Sequence, residues 1–280
     1  MIRRGVQAVL CITLLLILVG VGLIGAFTLA FSPSREIVYR ELDDGLLKLQ
    51  IFEPEDSESG PRPGILFFFG GGWTGGSSLQ FYPWAEHFSS RGWIGMTADY
   101  RVYSRDGTKP ADAVEDARAA YRFVVENAGL LGLDPARIFL AGGSSGGHLA
   151  AASVITPWPE RGSLADPAGL VLLNPALDTR VEGEDHYLAG FPGFFDGRGE
   201  EISPLHHIRP GLPPTLVAHG TADGVVPFAH SRDFCEQMQA AGNICRLLPY
   251  EGAHHGFFNW GFGRFDEVVG EVSAFLAPLR

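Results

Sequence analysis

The spacing of apolar positions divides the chain in two. Residues 5–31 carry no charge and are almost all apolar, with Arg3 and Arg4 just before them. From residue 32 on, short apolar segments alternate with polar ones. Residues 37–42 and 46–52 read as strands joined by the turn tripeptide Asp43-Asp44-Gly45. Residues 53–63 are acidic and rich in Ser, Gly and Pro, which predicts a surface loop. The run 65–69 is continuously apolar and ends in glycines, as expected of a strand buried on both faces of a parallel sheet. Further strands are predicted over 93–98, 137–141, 170–173, 215–218 and 246–250. Helices are predicted between and after them over 111–127, 146–155, 228–241 and 265–277. This alternation indicates an α/β domain over 32–280, with a mostly parallel central sheet and helices on both faces. Residues 179–209 break the rhythm. They hold Tyr187, Phe191, Phe194, Phe195 and several glycines and prolines, and read either as a small lid-like insert or as an ordinary surface loop.

A membrane-spanning helix needs about 20 apolar residues, whereas a signal-peptide core has about 7–15. The run 5–31 exceeds the second range and satisfies the first. Residues 1–31 are therefore expected to be a signal-anchor or transmembrane segment, with the arginine pair cytoplasmic and the folded domain on the non-cytoplasmic side. Cleavage near Thr28-Leu29-Ala30, releasing a secreted domain, is the alternative. The membrane is accordingly an expected partner. Composition is that of a globular protein, with 46% hydrophobic and 19% charged residues. A net charge of -11, without any lysine/arginine cluster, argues against a nucleic-acid partner. The cysteines are Cys11, Cys235 and Cys245. They show no zinc-ligand spacing, so no metal is expected. Cys235 and Cys245 are either two buried thiols or a disulfide formed in an oxidising compartment.

The strongest chemical signal is Arg-Ile-Phe-Leu-Ala-Gly-Gly-Ser-Ser-Gly-Gly-His-Leu-Ala-Ala at 137–151. An apolar strand runs into a glycine-flanked serine and then into an alanine-rich helix, the G-x-S-x-G nucleophile elbow. Small residues two before and two after the serine let strand and helix pack closely around a strained backbone. Two frames fit, centred on Ser144 or Ser145. The Ser144 frame starts the turn directly after the strand and leaves Gly147 for helix packing. The Ser145 frame puts His148 where a small residue is wanted. Ser144 is therefore the candidate nucleophile, and Ser145 contributes a backbone N–H.

Acyl transfer also needs donors for the tetrahedral oxygen, a general base and an orienting carboxylate. Phe-Phe-Phe-Gly-Gly-Gly-Trp at 67–73 offers Gly71 and Gly72 as backbone donors beside Ser145. It lacks the Gly-Lys-Ser/Thr of a phosphate loop and the GxGxxG of a dinucleotide fold. His-Gly-Thr-Ala-Asp, after the strand at 215–218, offers Asp223. Glu-Gly-Ala-His-His-Gly-Phe, after the next strand, offers His254 or His255. All lie just past the C-terminal ends of strands, where open α/β sheets place their sites, in the chain order Ser, Asp, His.

With these residues assembled, the chain resembles the α/β-hydrolase superfamily over essentially all of 37–280. It is most similar to the esterase branch that includes the hormone-sensitive lipase family and acetyl-xylan-esterase-like enzymes. Ala-Asp-Tyr-Arg at 98–101, Ala-Val-Glu-Asp-Ala at 113–117 and Pro-Pro-Thr-Leu-Val-Ala-His-Gly-Thr-Ala-Asp at 213–223 match that branch. The resemblance implies Ser144 as nucleophile, Asp223 as acid and, because Gly-Phe follows it, His255 rather than His254 as base. Phe69 stands where the branch usually has a histidine before the glycines. The N-terminal helical cap of the hormone-sensitive lipase family is replaced by the apolar run and two strands. The implied activity is cofactor-free hydrolysis of carboxylic esters through an acyl-enzyme, on short-chain acyl esters or acetylated carbohydrates. A small exopeptidase of the prolyl-oligopeptidase kind and a tethered binding protein without chemistry are the alternatives.

Overall fold

The computed structural model describes residues 27, 30–43, 45–55, 60–181, 187–189 and 193–279. The chain divides into two compact units, Met1–Pro33 and Ser34–Arg280. The expected membrane helix falls almost wholly outside the described residues. Among those described, no helix is long and apolar enough to cross a membrane.

The second unit is built on one eight-stranded sheet. Its strands are β1 (Arg35–Leu42), β2 (Gly45–Phe52), β3 (Arg62–Phe68), β4 (Ile94–Ala98), β5 (Leu133–Gly143), β6 (Gly169–Leu173), β7 (Thr215–Gly220) and β8 (Cys245–Tyr250). The spatial order is β1-β2-β4-β3-β5-β6-β7-β8. Only the β1–β2 and β2–β4 pairings are antiparallel, so the sheet is mostly parallel, as the alternating pattern predicts. The longer helices are α1 (Tyr82–Ser89), α2 (Pro110–Glu126), α3 (Ser145–Ile155), α4 (Phe228–Ala240) and α5 (Phe265–Leu276). The β3→β4 crossover steps in the opposite direction to β4→β5 and β5→β6. Right-handed crossovers therefore put α1 on one face and α2 and α3 on the other. Helix α5 joins α1, with Phe265 edge-on to Trp84 at 5.5 Å.

Two details depart from the sequence expectation, and a third settles an alternative left open. Strand β3 begins at Arg62, inside the stretch expected to be loop, and ends at Phe68, so Phe69 already belongs to the turn that follows. Helix α1 was not anticipated. Pro83 opens it, and its buried face is Tyr82, Trp84, Ala85 and Phe88. It lies so close to β4 that a Cβ on Gly95 meets the Ala85 carbonyl oxygen at 2.3 Å. Finally, Cys235 on α4 and Cys245 on β8 form a disulfide, with Cα atoms 5.2 Å apart.

Candidate active site

Strand β5 delivers Ser144 at φ 56° and ψ -121°, a conformation that L-residues avoid. The surroundings hold it there. Its N–H donates to the Leu173 carbonyl at the end of β6, and its carbonyl accepts from the N–H groups of Ala176 and His148. The glycines have steric work. A Cβ on Gly146 meets the Phe68 carbonyl oxygen at 2.0 Å, and one on Gly142 meets the Gly146 carbonyl oxygen at 2.3 Å. Helix α3 starts at Ser145, so its unpaired N–H groups and positive dipole end face the Ser144 side chain.

His255 Nε2 lies 3.0 Å from Ser144 Oγ, and its Nδ1 lies 2.7 Å from Asp223 Oδ2. The carboxylate only accepts, so Nδ1 carries the proton and Nε2 is free to accept from the serine hydroxyl. Asp223 is fully buried on its side chain. Burial opposes its ionisation. Hydrogen bonds from His219, His255 and the N–H groups of Val225 and Val226 outweigh that, and hold the carboxyl well below the usual carboxylate range. The neighbouring His254 turns away, with Nδ1 3.0 Å from the Ala222 carbonyl oxygen and its ring exposed. Thus the structure brings together Ser144, Asp223 and His255 and leaves His254 out.

The glycine loop stands opposite. Gly72 and Ser145 line the cavity at Ser144. Gly71 (φ 140°) sits one residue back, its carbonyl accepting from the N–H groups of Thr74 and Gly75. Among the described residues, no acceptor takes the N–H of Gly71 or Gly72. Phe69 replaces the branch's histidine by packing: it stacks on Tyr100 at 4.0 Å, and the Tyr100 hydroxyl donates to its carbonyl at 2.8 Å. The Gly70 N–H is held by Gln80 Oε1 at 2.6 Å, and Gln80 in turn donates to Asn259 Oδ1 beyond His255.

The cavity measures about 160 Å³ and is walled by Trp73, Thr74, Ala176, Tyr187, Leu188, Phe194, Val225 and Val226. Tyr187, Leu188 and Phe194 come from the 179–209 segment, which therefore contributes walls rather than lying idle on the surface. A larger cleft of about 700 Å³, around Arg40, Arg118, Arg122 and Trp158, includes none of Ser144, Asp223, His255 or the glycine loop.

Several supporting residues were not singled out from sequence. His148 accepts the Trp73 indole N–H at Nδ1 and donates from Nε2 to the Ile202 carbonyl, joining the glycine loop to the 179–209 segment. Burial pushes its pKa down to about 4, so the ring is neutral. Asn174, buried at φ 36°, accepts the Gly256 N–H next to His255. His219 meets Asp223. Their only sequence signals are positional: His148 lies one helical turn after the serine, His219 directly before Gly220, and Asn174 directly after β6.

The α/β-hydrolase fold family matches residues 65–259. Esterase LipC of Mycobacterium tuberculosis is 28% identical over 277 residues, covering 89% of this chain and 66% of that protein. Thermogutta terrifontis esterase 2 with propionate bound superimposes with a TM-score of 0.82 at 42% identity, covering 89% of this chain and 95% of that one. The same esterase phosphonylated by sarin gives a TM-score of 0.83 at 40% identity, over 89% and 96%. The chain spans about half to two thirds of the length of the curated relatives it matches. Sequence match and shared architecture agree: the chain belongs to the α/β-hydrolase family, on its esterase branch.

Proposed function

We propose that this chain hydrolyses carboxylic esters of short acyl chains, with Ser144 as nucleophile, His255 as general base and acid, and Asp223 as the orienting carboxylate. The observation that carries this reading is the continuous hydrogen-bonded line from Ser144 Oγ through His255 to Asp223. As Ser144 Oγ bonds to the acyl carbon, its proton passes to His255 Nε2. The carbonyl oxygen becomes the oxyanion and is received by the N–H groups of Gly71, Gly72 and Ser145. Collapse breaks the ester C–O bond, and His255 returns the proton to the leaving alcohol. Water then repeats the sequence on the acyl-enzyme and frees the acid. No cofactor takes part.

The small apolar cavity supports the short-acyl preference, and so does the propionate held by the Thermogutta terrifontis esterase. Acetylated carbohydrates are one source of such esters. The same proposal keeps residues 1–31 as a membrane anchor with the catalytic domain outside the cytoplasm. The Cys235–Cys245 disulfide supports an oxidising compartment. Sequencing the mature N-terminus from the native host tests the anchor: a start at Phe31 means a cleaved signal instead.

For the activity, rates on p-nitrophenyl acetate are compared with rates on aminoacyl anilides. The ester should be turned over and the anilide not. Ser144→Ala should abolish ester turnover, by about 10⁴-fold or more, whereas Ser145→Ala should retain most of it because Ser145 acts through its backbone. An active Ser144→Ala variant beside a dead Ser145→Ala variant would reverse the elbow assignment.

A further inference from the structure

Asp223 serves two histidines. His219 Nε2 lies 3.1 Å from Asp223 Oδ2, the same oxygen that takes His255 Nδ1–H. It is also 3.0 Å from the Val226 carbonyl oxygen. A carbonyl only accepts, so Nε2 of His219 carries the proton and donates it to the Val226 carbonyl, with Asp223 Oδ2 beside it at 3.1 Å. Nδ1, 2.7 Å from Ser231 Oγ, accepts from that hydroxyl. The ring is fully buried near the end of β7, with Phe228 of α4 edge-on at 5.7 Å. Asp223 Oδ1 is occupied separately by the N–H groups of Val225 and Val226. All the proton chemistry therefore passes through Oδ2, and His219 competes there.

We propose that His219 is a positioning residue for the ester hydrolysis: through its Nε2–H, 3.1 Å from Asp223 Oδ2, it fixes the plane of the carboxylate and moderates how strongly that carboxylate stabilises protonated His255. The proposal rests on Ser144, His255 and Asp223 acting as the triad. When His255 takes the serine proton, the negative charge on Oδ2 stabilises the new imidazolium. A donor beside the same oxygen draws off part of that charge. Without it, Asp223 holds the His255 proton more tightly, so the free enzyme is switched off by protonation at a higher pH. The carboxylate also loses one contact that sets its plane, so turnover slows. The other titratable groups around the pair keep their own partners. His254 turns to the Ala222 carbonyl. His230 of α4 packs on Tyr187 at 5.0 Å. Tyr187 donates to the Asp178 carbonyl, and the Asp178 carboxylate lies 3.7 Å from His206.

The test measures kcat/KM on p-nitrophenyl acetate from about pH 5 to 9 for the full chain, His219→Phe and His219→Gln. Phenylalanine keeps the ring and deletes the donor, whereas glutamine keeps an N–H where Nε2 stood. The acid limb of His219→Phe should move upward by about half to one pH unit, with a plateau about tenfold lower. His219→Gln should keep the acid limb of the parent. An acid limb that stays put or moves down in His219→Phe overturns the proposal whatever the loss of rate, and so does an equal shift in both variants. If His219→Phe does not fold, Ser231→Ala carries the test. Loosening the ring from its Nδ1 side should move the limb the same way by less, and no movement overturns the proposal. Ser144→Ala run alongside separates the two readings. If it stays active, the triad itself is wrong; if it is dead and the limb is unmoved, only the role of His219 fails.

Discussion

The two sides of this site are made differently. The side carrying the proposed triad stands on strand ends: Ser144 after β5, Asp223 after β7 and His255 after β8. There the hydrogen bonds run from strand to strand, as with the Ser144 N–H on Leu173 and the Asn174 N–H on Ala218. The substrate side is largely carried by the glycine loop and the long segment between β6 and β7, which supply Trp73, Thr74, Tyr187, Leu188 and Phe194. A few polar ties hold that segment: Thr179 Oγ1 on the Gly199 carbonyl, Ser203 Oγ on the Leu177 carbonyl, and His148 on Ile202. Proton transfer fails when a hydrogen bond is misplaced, so its residues sit on the most constrained backbone available. Substrate choice tolerates adjustment, and its residues sit where chain length and side-chain size vary at low cost.

The sharpest way to break this comparison is at the two adjacent histidines. His255→Ala should lower kcat by about 10⁴-fold, while His254→Ala should lower it by less than about threefold, since its ring meets only a carbonyl in the exposed turn. Steady-state rates of the two purified variants decide it, with circular dichroism to check folding. Comparable losses in both would mean that the triad side is no more selective about its residues than the wall.

The wall is tested by acyl length. On p-nitrophenyl esters kcat/KM should peak at about two to six carbons and fall beyond about eight, because each methylene that finds a pocket gains about 0.8 kcal/mol and one left in water gains nothing. Leu188→Ala should carry the optimum one or two carbons further, with up to about tenfold gain on the longer ester and little change on acetate. A profile rising steadily to palmitate would point to a trough absent from the described walls.

The smallest expected effect concerns the tie between the two sides. His148 is neutral in the fold, with its pKa pushed from 6.5 to about 4. The unfolded chain therefore binds the proton more readily. The stability this residue contributes is fully present above pH 6.5 and is lost as pH falls toward about 4. Thermal melts should show Tm falling through that window, and His148→Gln should flatten the fall by roughly 2–4 °C. Parallel Tm curves for the two proteins would mean that His148 is not the titrating tie.

Much of this was legible before any coordinates. Strand and helix alternation follows from apolar runs of two lengths, and the elbow announces itself because no side chain larger than hydrogen fits at Gly142 or Gly146. Asp223 and the His254-His255 pair follow from chain order and from their place after strands, and the resemblance, through the Gly-Phe that follows it, selects His255. Helix α1 was hidden because an eight-residue segment opening with Tyr82-Pro83 shows barely two turns of periodicity. The disulfide stayed open because spacing alone does not set Cα distance. His219, His148, Asn174 and Gln80 were hidden for another reason. Each acts through a partner from 4 to 179 positions away, and a single residue type says nothing about which partner it meets.

The central claim is that one serine, and not its neighbour, is the atom that attacks. Labelling the native chain, Ser145→Ala and His255→Ala with a fluorophosphonate, followed by peptide mass spectrometry, reads this directly. The phosphonyl group should be found on Ser144 in the native chain and in Ser145→Ala, and should be nearly absent in His255→Ala, where nothing takes the serine proton. A label on Ser145, or equal labelling of Ser144 with and without His255, would contradict the account.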